Sequence, residues 1–376
     1  MPKSFFRKFT KKFFIISNIV FAVLFLLGCY AYLFNPKNWW FLGLLTLGAF
    51  YLLLLLILFI VFWLFVKPKW VLISLVTFVL AYKPLSNIIP FRFSSTFDKQ
   101  KPKNGIRMLT WNVEHFDILE HKTHPERKEE MFNIITEYQP DIACFQEMVG
   151  GDKSKEAINY VPDMLPRLDF VDYNYSYNPK LDFDGNHHFG IITFSKYPMI
   201  NKQTVSFYPY DYNSIFQYTD IVKGMDTIRV FNIHLQSLKF SQSNLQYIEK
   251  PTVNDEMDIQ RSKSVISKLK QGFLKRQVQA ERIKAEIEKS PYPVIICGDF
   301  NDVPNSYAYN CIGKGLNNAF AEKGAGMGRT FSGISPTLRI DNIFTDKKFK
   351  VLQYTRIAKK LSDHFPVFAD MEKRQN

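Results

Sequence analysis

The sequence predicts a mixed α+β domain of stacked sheets, preceded by hydrophobic helices that cross a membrane. Three observations carry this prediction. Residues 13–34 and 41–66 are long apolar runs without charge. From about residue 106 onward, short apolar segments recur between turns and outnumber the helical patterns. Many of these segments are joined by loops instead of helices, which favours stacked sheets over a doubly wound sheet.

Each of the two runs exceeds the ~20 residues a helix needs to cross a bilayer. A third stretch, Trp70 to Tyr82, has 13 residues. It reaches spanning length, over about 70–91, only if Lys83 snorkels to the head groups. Trp39, Trp40, Trp63, Trp70 and Tyr82 stand near span ends, where amphipathic rings prefer to lie. Lys3, Arg7, Lys8, Lys11 and Lys12 precede the first span, Lys37 alone marks the turn after it, and Lys67 and Lys69 mark the next turn. The excess of cations on the cytoplasmic side then keeps the N-terminus inside. Three spans place everything after about residue 92 outside, whereas two would leave it inside. Three is the expectation, giving a multi-pass cell-membrane protein with an extracytoplasmic C-terminal domain. Residues 1–92 form the membrane region, 93–104 a linker and 105–372 the folded domain. Leu26-Leu27-Gly28-Cys29 resembles a lipoprotein cleavage site, but further hydrophobic segments make a lipid anchor redundant. Cys29 is expected to lie inside a membrane helix.

The net charge of +13 suggests nucleic acid, but its distribution removes most of that suggestion. Residues 1–100 hold 11 Lys and Arg against the single acid Asp98, leaving 37 basic and 34 acidic residues in the remainder. The excess serves membrane topology. Cys29, Cys144, Cys297 and Cys311 have no paired spacing, so they predict neither a zinc site nor a disulfide framework.

In the folded domain the predicted strands are Ile106–Asn112, Asp141–Phe145, Gly190–Phe194, Thr227–Ile233, Pro293–Cys297, Arg339–Phe344 and Phe365–Phe368. Helical periodicity marks Pro125–Tyr138 and a longer stretch around Phe273–Lys289. Polar residues punctuate the strand ends in order: Asn112, Gln146-Glu147, Asn232 and His234, Asp299 and Asn301, Asp341, then Asp363-His364. Taken singly, Asn112 and Asn232 read as turn or capping residues, Glu147 as a surface acid, His234 as a core histidine and Asp299/Asn301 as an Asx turn. Together, carboxylates and amide oxygens suit a hard cation such as Mg²⁺ or Mn²⁺. Two histidines beside acids can move protons near neutral pH. Phosphoester hydrolysis needs such a set: a cation for oxyanion charge, a base for water and donors for phosphate. His115, His121, His124, His187 and His188 lack such neighbours and read as loop residues.

The ordered set Trp111-Asn112, Gln146-Glu147, Asn232-x-His234-Leu235, Gly298-Asp299-Phe300-Asn301, Arg339-Ile340-Asp341 and Ser362-Asp363-His364 resembles the endonuclease/exonuclease/phosphatase superfamily. Gly190 to Pro198 resembles its intervening strand and turn. The resemblance covers about residues 105–371 and implies a four-layer αββα sandwich with the site at one end of two facing sheets. It implies Glu147 as principal metal ligand, with Asn112 and Asp363 beside the metal. His234 would bind the scissile phosphate or act as acid, with Asn232 and Asn301 also on the substrate. Asp299 would orient or deprotonate the attacking water, supported by Asn301, and His364 would contact phosphate, held by Asp341. Asn342 replaces the aromatic residue usual after that Asp, and residues 237–272 form an unusually long polar insertion. The implied substrate is nucleic acid, or alternatively a phospholipid or inositol phosphate head group. A non-catalytic binding module is the bland third reading.

Overall fold

The computed structural model describes residues 3–92, 96–151, 157–179, 186–207, 215–252 and 256–374. Twelve strands among these residues are β1 (Ile106–Asn112), β2 (Ile142–Gly151), β3 (Asp172–Tyr177), β4 (His187–Ser195), β5 (Met199–Ser206), β6 (Ile215–Lys223), β7 (Asp226–His234), β8 (Val294–Asp299), β9 (Asn317–Asn318), β10 (Asp341–Thr345), β11 (Phe349–Arg356) and β12 (Val367–Lys373). They form two six-stranded sheets, ordered β11-β12-β1-β2-β4-β3 and β5-β6-β7-β8-β10-β9. At the centre of each sheet lies a parallel pair, β1 with β2 and β7 with β8. A parallel pair needs a crossover, and a helix supplies it in both cases. Pro125–Tyr138 makes the first and Glu256–Glu288 the second.

Period-two alternation divides the strand residues between two apolar layers. Ile106, Met108, Cys144, Ile228, Val230, Ile295, Cys297 and Ile343 fill the space between the sheets. Leu109, Trp111 and Phe145 face outward onto Met131, Phe132 and Ile135 of the first crossover helix. Phe231, Ile233, Val294 and Ile296 face Ala280, Ile283 and Ile287 of the second. The result is the four-layer αββα sandwich. The second crossover helix begins at Glu256, well before Phe273, because most of the insertion is helical: Gln242–Glu249 packs beside it. His187 and His188 lie in β4, not in a loop; Tyr177 stacks on His188 at 4.2 Å.

Before the sandwich, Arg7–Cys29 and Ala49–Val66 are long and apolar enough to cross a membrane. Leu42–Leu47 is a separate short helix, set off at Gly48, so the second run is not one continuous helix over 41–66. Its Thr46 Oγ1 donates to Gly28 O at 3.0 Å. The third stretch is two helical pieces, Pro68–Leu80 and Tyr82–Ile88, bent by 74°. Ser74 Oγ donates to Asn18 Oδ1 at 3.1 Å, joining the third stretch to the first helix through buried polar groups. Lys11 lies within electrostatic reach of Lys67 and Lys69, so these cations share one end of the bundle. The sandwich packs on the other end. Asn87 Nδ2 donates to Asn305 Oδ1 at 3.0 Å, and the guanidinium of Arg339, fully buried over the Phe320 ring, donates to the carbonyls of Asn87, Ile88 and Met327.

Candidate active site

The same alternation that fills the inter-sheet core carries polar residues to one end of it. Asn112 follows Met108 and Thr110 on β1, His234 follows Val230 and Asn232 on β7, and Asp299 follows Cys297 on β8. His234 and Asp299 are register partners, as are Asp341 and Asp299. Glu147 reaches the site differently. The β2–β4 register shifts between Phe145 and Met148, and Glu147 takes φ 54° there. A bulge within a strand re-aims one side chain, and here it turns a carboxylate toward the mouth.

Asp299 Oδ2 is the focus. Asn112 Nδ2 and Asn301 Nδ2 donate to it at 3.3 and 3.1 Å. His234 Nε2 and His364 Nε2 each lie 3.6 Å away. Glu147 Oε1 accepts from Asn112 Nδ2 at 3.2 Å and lies 3.6 Å from His234 Nε2. The Gly-Asp-x-Asn string is local geometry made useful: Asn301 N donates to Asp299 Oδ1 at 2.7 Å, with Asn301 at φ 48°, a conformation Asn tolerates well.

His364 Nδ1 sits 2.8 Å from Asp341 Oδ2. Burial pushes the imidazole down, but the carboxylates of Asp341 and Asp299 outweigh it and hold His364 well above its ordinary value. Thr330 Oγ1 accepts from Ile340 N and Asp341 N, fixing the acid behind the histidine. The Ser-Asp-His string has equally local reasons. Ser362 Oγ accepts from His364 N at 3.1 Å and donates to Asn112 O at 2.8 Å, while Trp111 Nε1 donates to His364 O at 3.0 Å. Asp363 is half-exposed at the rim, with Oδ1 3.9 Å from His364 Nε2.

Burial raises Glu147 and lifts Asp299 to about 7. Asp341 Oδ1 is buried with no hydrogen-bond partner. Desolvated carboxylates crowded at one mouth are the arrangement a divalent cation relieves, so the donor set fits a hard metal ion. Donor atoms of Asp299, Asp341 and His364 lie within 4.8 Å of one another.

Among the residues expected on substrate, Asn232 is placed differently from the others. It is fully buried; Nδ2 donates to Phe145 O and Ile192 O, and Oδ1 accepts from Gln146 Nε2 at 2.7 Å. It ties one sheet to the other behind the site. Asn232→Ala should therefore lower the melting temperature, by about 2–3 kcal/mol of stability, since two buried carbonyls lose donors. KM should stay unchanged; a raised KM with unaltered melting would instead put the amide on substrate. Asn342 is likewise internal, accepting from Asn318 Nδ2 and donating to Ile340 O.

One neighbouring acid was not legible as part of the set. Glu114 Oε2 accepts from Asp363 N at 3.0 Å, and burial, then the Asp363 charge, raises its carboxyl. Its backbone and those of His115, Phe116 and Asp117 all have positive φ, a left-handed turn that brings residue 114 back beside Asn112. Four such residues in succession are costly, and strain of this kind clusters at functional sites. The only sequence signal was its position two residues after Asn112.

A family model described as the endonuclease/exonuclease/phosphatase family matches residues 109–364, more than half the chain. The chain belongs to this family. Residues 11–88 match a second model, a domain of unknown function. Among solved structures, TDP2 of D. rerio complexed with single-strand DNA product has 15% identity and a TM-score of 0.51, covering 72% of this chain and all of that one. A humanized D. rerio TDP2 with 14 mutations has 14% identity and a TM-score of 0.50, with the same coverages. An endonuclease/exonuclease/phosphatase from Beutenbergia cavernae has 16% identity and a TM-score of 0.50, covering 72% of each chain. At these identities the likeness is one of fold. No curated protein matches the chain. Membership in the endonuclease/exonuclease/phosphatase family gives the coarse class, the fold of divalent-metal-dependent phosphoester hydrolases.

Proposed function

We propose that the chain is a membrane-anchored phosphodiesterase in which metal-assisted attack of water on phosphorus is organised around Asp299. The observation that carries this reading is the convergence of two imidazoles and two amides on one carboxylate oxygen. Glu147 and Asn112, with Asp363 at the rim, would hold Mg²⁺ or Mn²⁺, whose charge offsets that of the phosphate oxygens. Asp299, lifted to about 7, orients the attacking water and takes its proton. His364, kept charged and oriented by Asp341, donates to a phosphate oxygen, and His234 also binds the phosphate. Asn301 steadies Asp299, its Nδ2 donating to Asp299 Oδ2 at 3.1 Å and to Leu235 O at 2.9 Å.

Two substrate classes fit this chemistry. Nucleic acid is the reading from the residue set alone. A phosphoester carried by a membrane lipid is favoured by a separate observation: the site is braced against the apolar bundle. Tyr51 Oη lies 3.1 Å from Ser335 Oγ, and Phe331, in the same loop, packs on the His364 ring at 5.0 Å. The basic end of the bundle points away from the sandwich, which supports an extracytoplasmic domain. The test is turnover by the purified full chain on DNA, RNA, sphingomyelin, glycerophospholipids and inositol phosphates, with and without Mg²⁺ or Mn²⁺. Metal-dependent hydrolysis of one class, abolished by His364→Ala, is the expected result. Absence of turnover on all of them with the metal bound would overturn the enzymatic reading.

A further inference from the structure

The helix Glu256–Glu288 has one face that meets both the sandwich and the end of the membrane bundle. Phe273 closes on Gly43, where an added Cβ would meet its ring at 2.8 Å. Lys270 Nζ lies over the Trp40 ring at 5.3 Å. Farther along, Lys284 and Glu288 line a cavity of about 720 Å³ together with Tyr32, Leu33, Lys83 and Asn87. Residues 270 and 284 are about 21 Å apart along a helix axis. Lys270 lies against the turn between the two spanning helices, and Lys284, whose Nζ donates to Lys314 O at 2.8 Å, shares a cavity with Tyr32 and Leu33 of that turn. That turn joins membrane-crossing segments, so it lies at the bilayer surface, and its Trp39 and Phe41 are exposed. A helix that touches the turn at Lys270 and Phe273 and still shares a cavity with it at Lys284 runs along the surface instead of rising from it.

The same face continues toward the helix N-terminus, beyond the bundle. Ile259, Ile266 and Phe273 recur every seven residues and so fall within about 40° of one another round the helix. Ile259 and Ile266 are exposed, at 47% and 44%, and Lys263 and Lys270 flank them. Apolar side chains bordered by lysines, on a helix parallel to a bilayer, are an interfacial element. The inference rests on the membrane-anchored reading given above. We infer that the Ile259–Ile266 face of this helix docks on the surface of the bilayer that the chain itself spans. The consequence for the site is direct. One turn past Phe273, Arg276 Nη1 donates to Gln236 O and Nε pairs with Asp302 at 3.1 Å, holding the segments that follow His234 and Asn301. The catalytic mouth is thereby held at the level of the head groups, where a lipid-borne phosphoester lies.

The test uses the full chain carrying Cys311→Ser, the other three cysteines being fully buried. Single cysteines at Trp39, Ile266 or Val278 are labelled with an environment-sensitive fluorophore. Each protein is reconstituted into phosphatidylcholine/phosphatidylglycerol vesicles containing doxyl-labelled lipid. Quenching at 266 should come within about twofold of that at 39. Val278 is 60% exposed and lies about 140° round the helix from Phe273, so it should stay unquenched by lipid. Quenching at 39 but not at 266 overturns the docking inference while leaving the anchor intact. Protection of 266 from both lipid quencher and iodide would reveal a protein contact there and overturns it equally. No quenching at 39 defeats the anchored reading itself, and the inference with it.

Discussion

Asp299→Asn is expected to lower kcat by about a thousandfold while leaving the fold in place, since a positioned general base contributes about 10²–10⁴. The substitution keeps the shape but makes one acceptor a donor. Asn112 Nδ2, Asn301 Nδ2 and Asn301 N all donate to this carboxylate, so an amide there must face at least one of them donor to donor. The stability consequence has the opposite sign to the catalytic one. Burial lifts the folded Asp299 to about 7, far above its unfolded value near 4. The stability such a group lends is complete below about pH 4 and is lost as pH rises through about 7. His364, held high by its carboxylates despite burial, loses its contribution in the same direction. The metal-free protein should therefore melt lower at pH 8.5 than at pH 6, and Asp299→Asn should shrink that difference. Mg²⁺ or Mn²⁺ should raise the wild-type melting temperature more at pH 8.5 than at pH 6. Equal metal-free melting at the two pH values would show that Asp299 is not buried as a strained carboxylate. A kcat within tenfold of wild type would remove it from the chemistry.

The parts of the fold that were legible in the sequence are those buried on both faces. β1, β2, β4, β7, β8, β10 and β12 are flanked by neighbours on both edges and read as apolar runs. The strands that escaped are β3, β5, β9 and β11, the four sheet edges, together with β6. An edge strand has solvent on one side, and Asp172–Tyr177 and Met199–Ser206 carry the polar residues that position demands. The polar cluster of the candidate site was legible because strand-end polar residues at the mouth of an apolar run are conspicuous. What the sequence could not give was direction. Asn232 and His234 share one face of β7, yet the amide turns back to bind Phe145 and Ile192 while the imidazole meets Glu147 and Asp299. Glu114 and Thr330 reach the site through a left-handed turn and a loop, where no periodicity announces them.

The largest stability effect is expected at Gly298, a residue with no side chain to do chemistry. Its φ is +147°, a conformation that L residues rarely adopt, and an added Cβ would stand 2.0 Å from Ile233 O. That oxygen belongs to the neighbouring strand of a parallel pair and cannot step aside without dragging β7. Gly298→Ala should cost more than about 4 kcal/mol, the range reserved for a defined steric or strain mechanism. Gly224 separates the two components of that cost. It has φ +61° but nothing within 4 Å of its Cβ position, in the turn between β6 and β7. Gly224→Ala should therefore show backbone strain alone, about 1–2 kcal/mol. If the two variants melt alike, the close approach of β7 and β8 is not what the glycine serves. If Gly298→Ala folds only with metal present, its activity should still be lost. Ile233 precedes His234 as Gly298 precedes Asp299, and Leu235 N donates to Asp299 O at 2.9 Å. A displacement of either strand by less than the width of a methyl group separates the imidazole from the carboxylate it was built to meet.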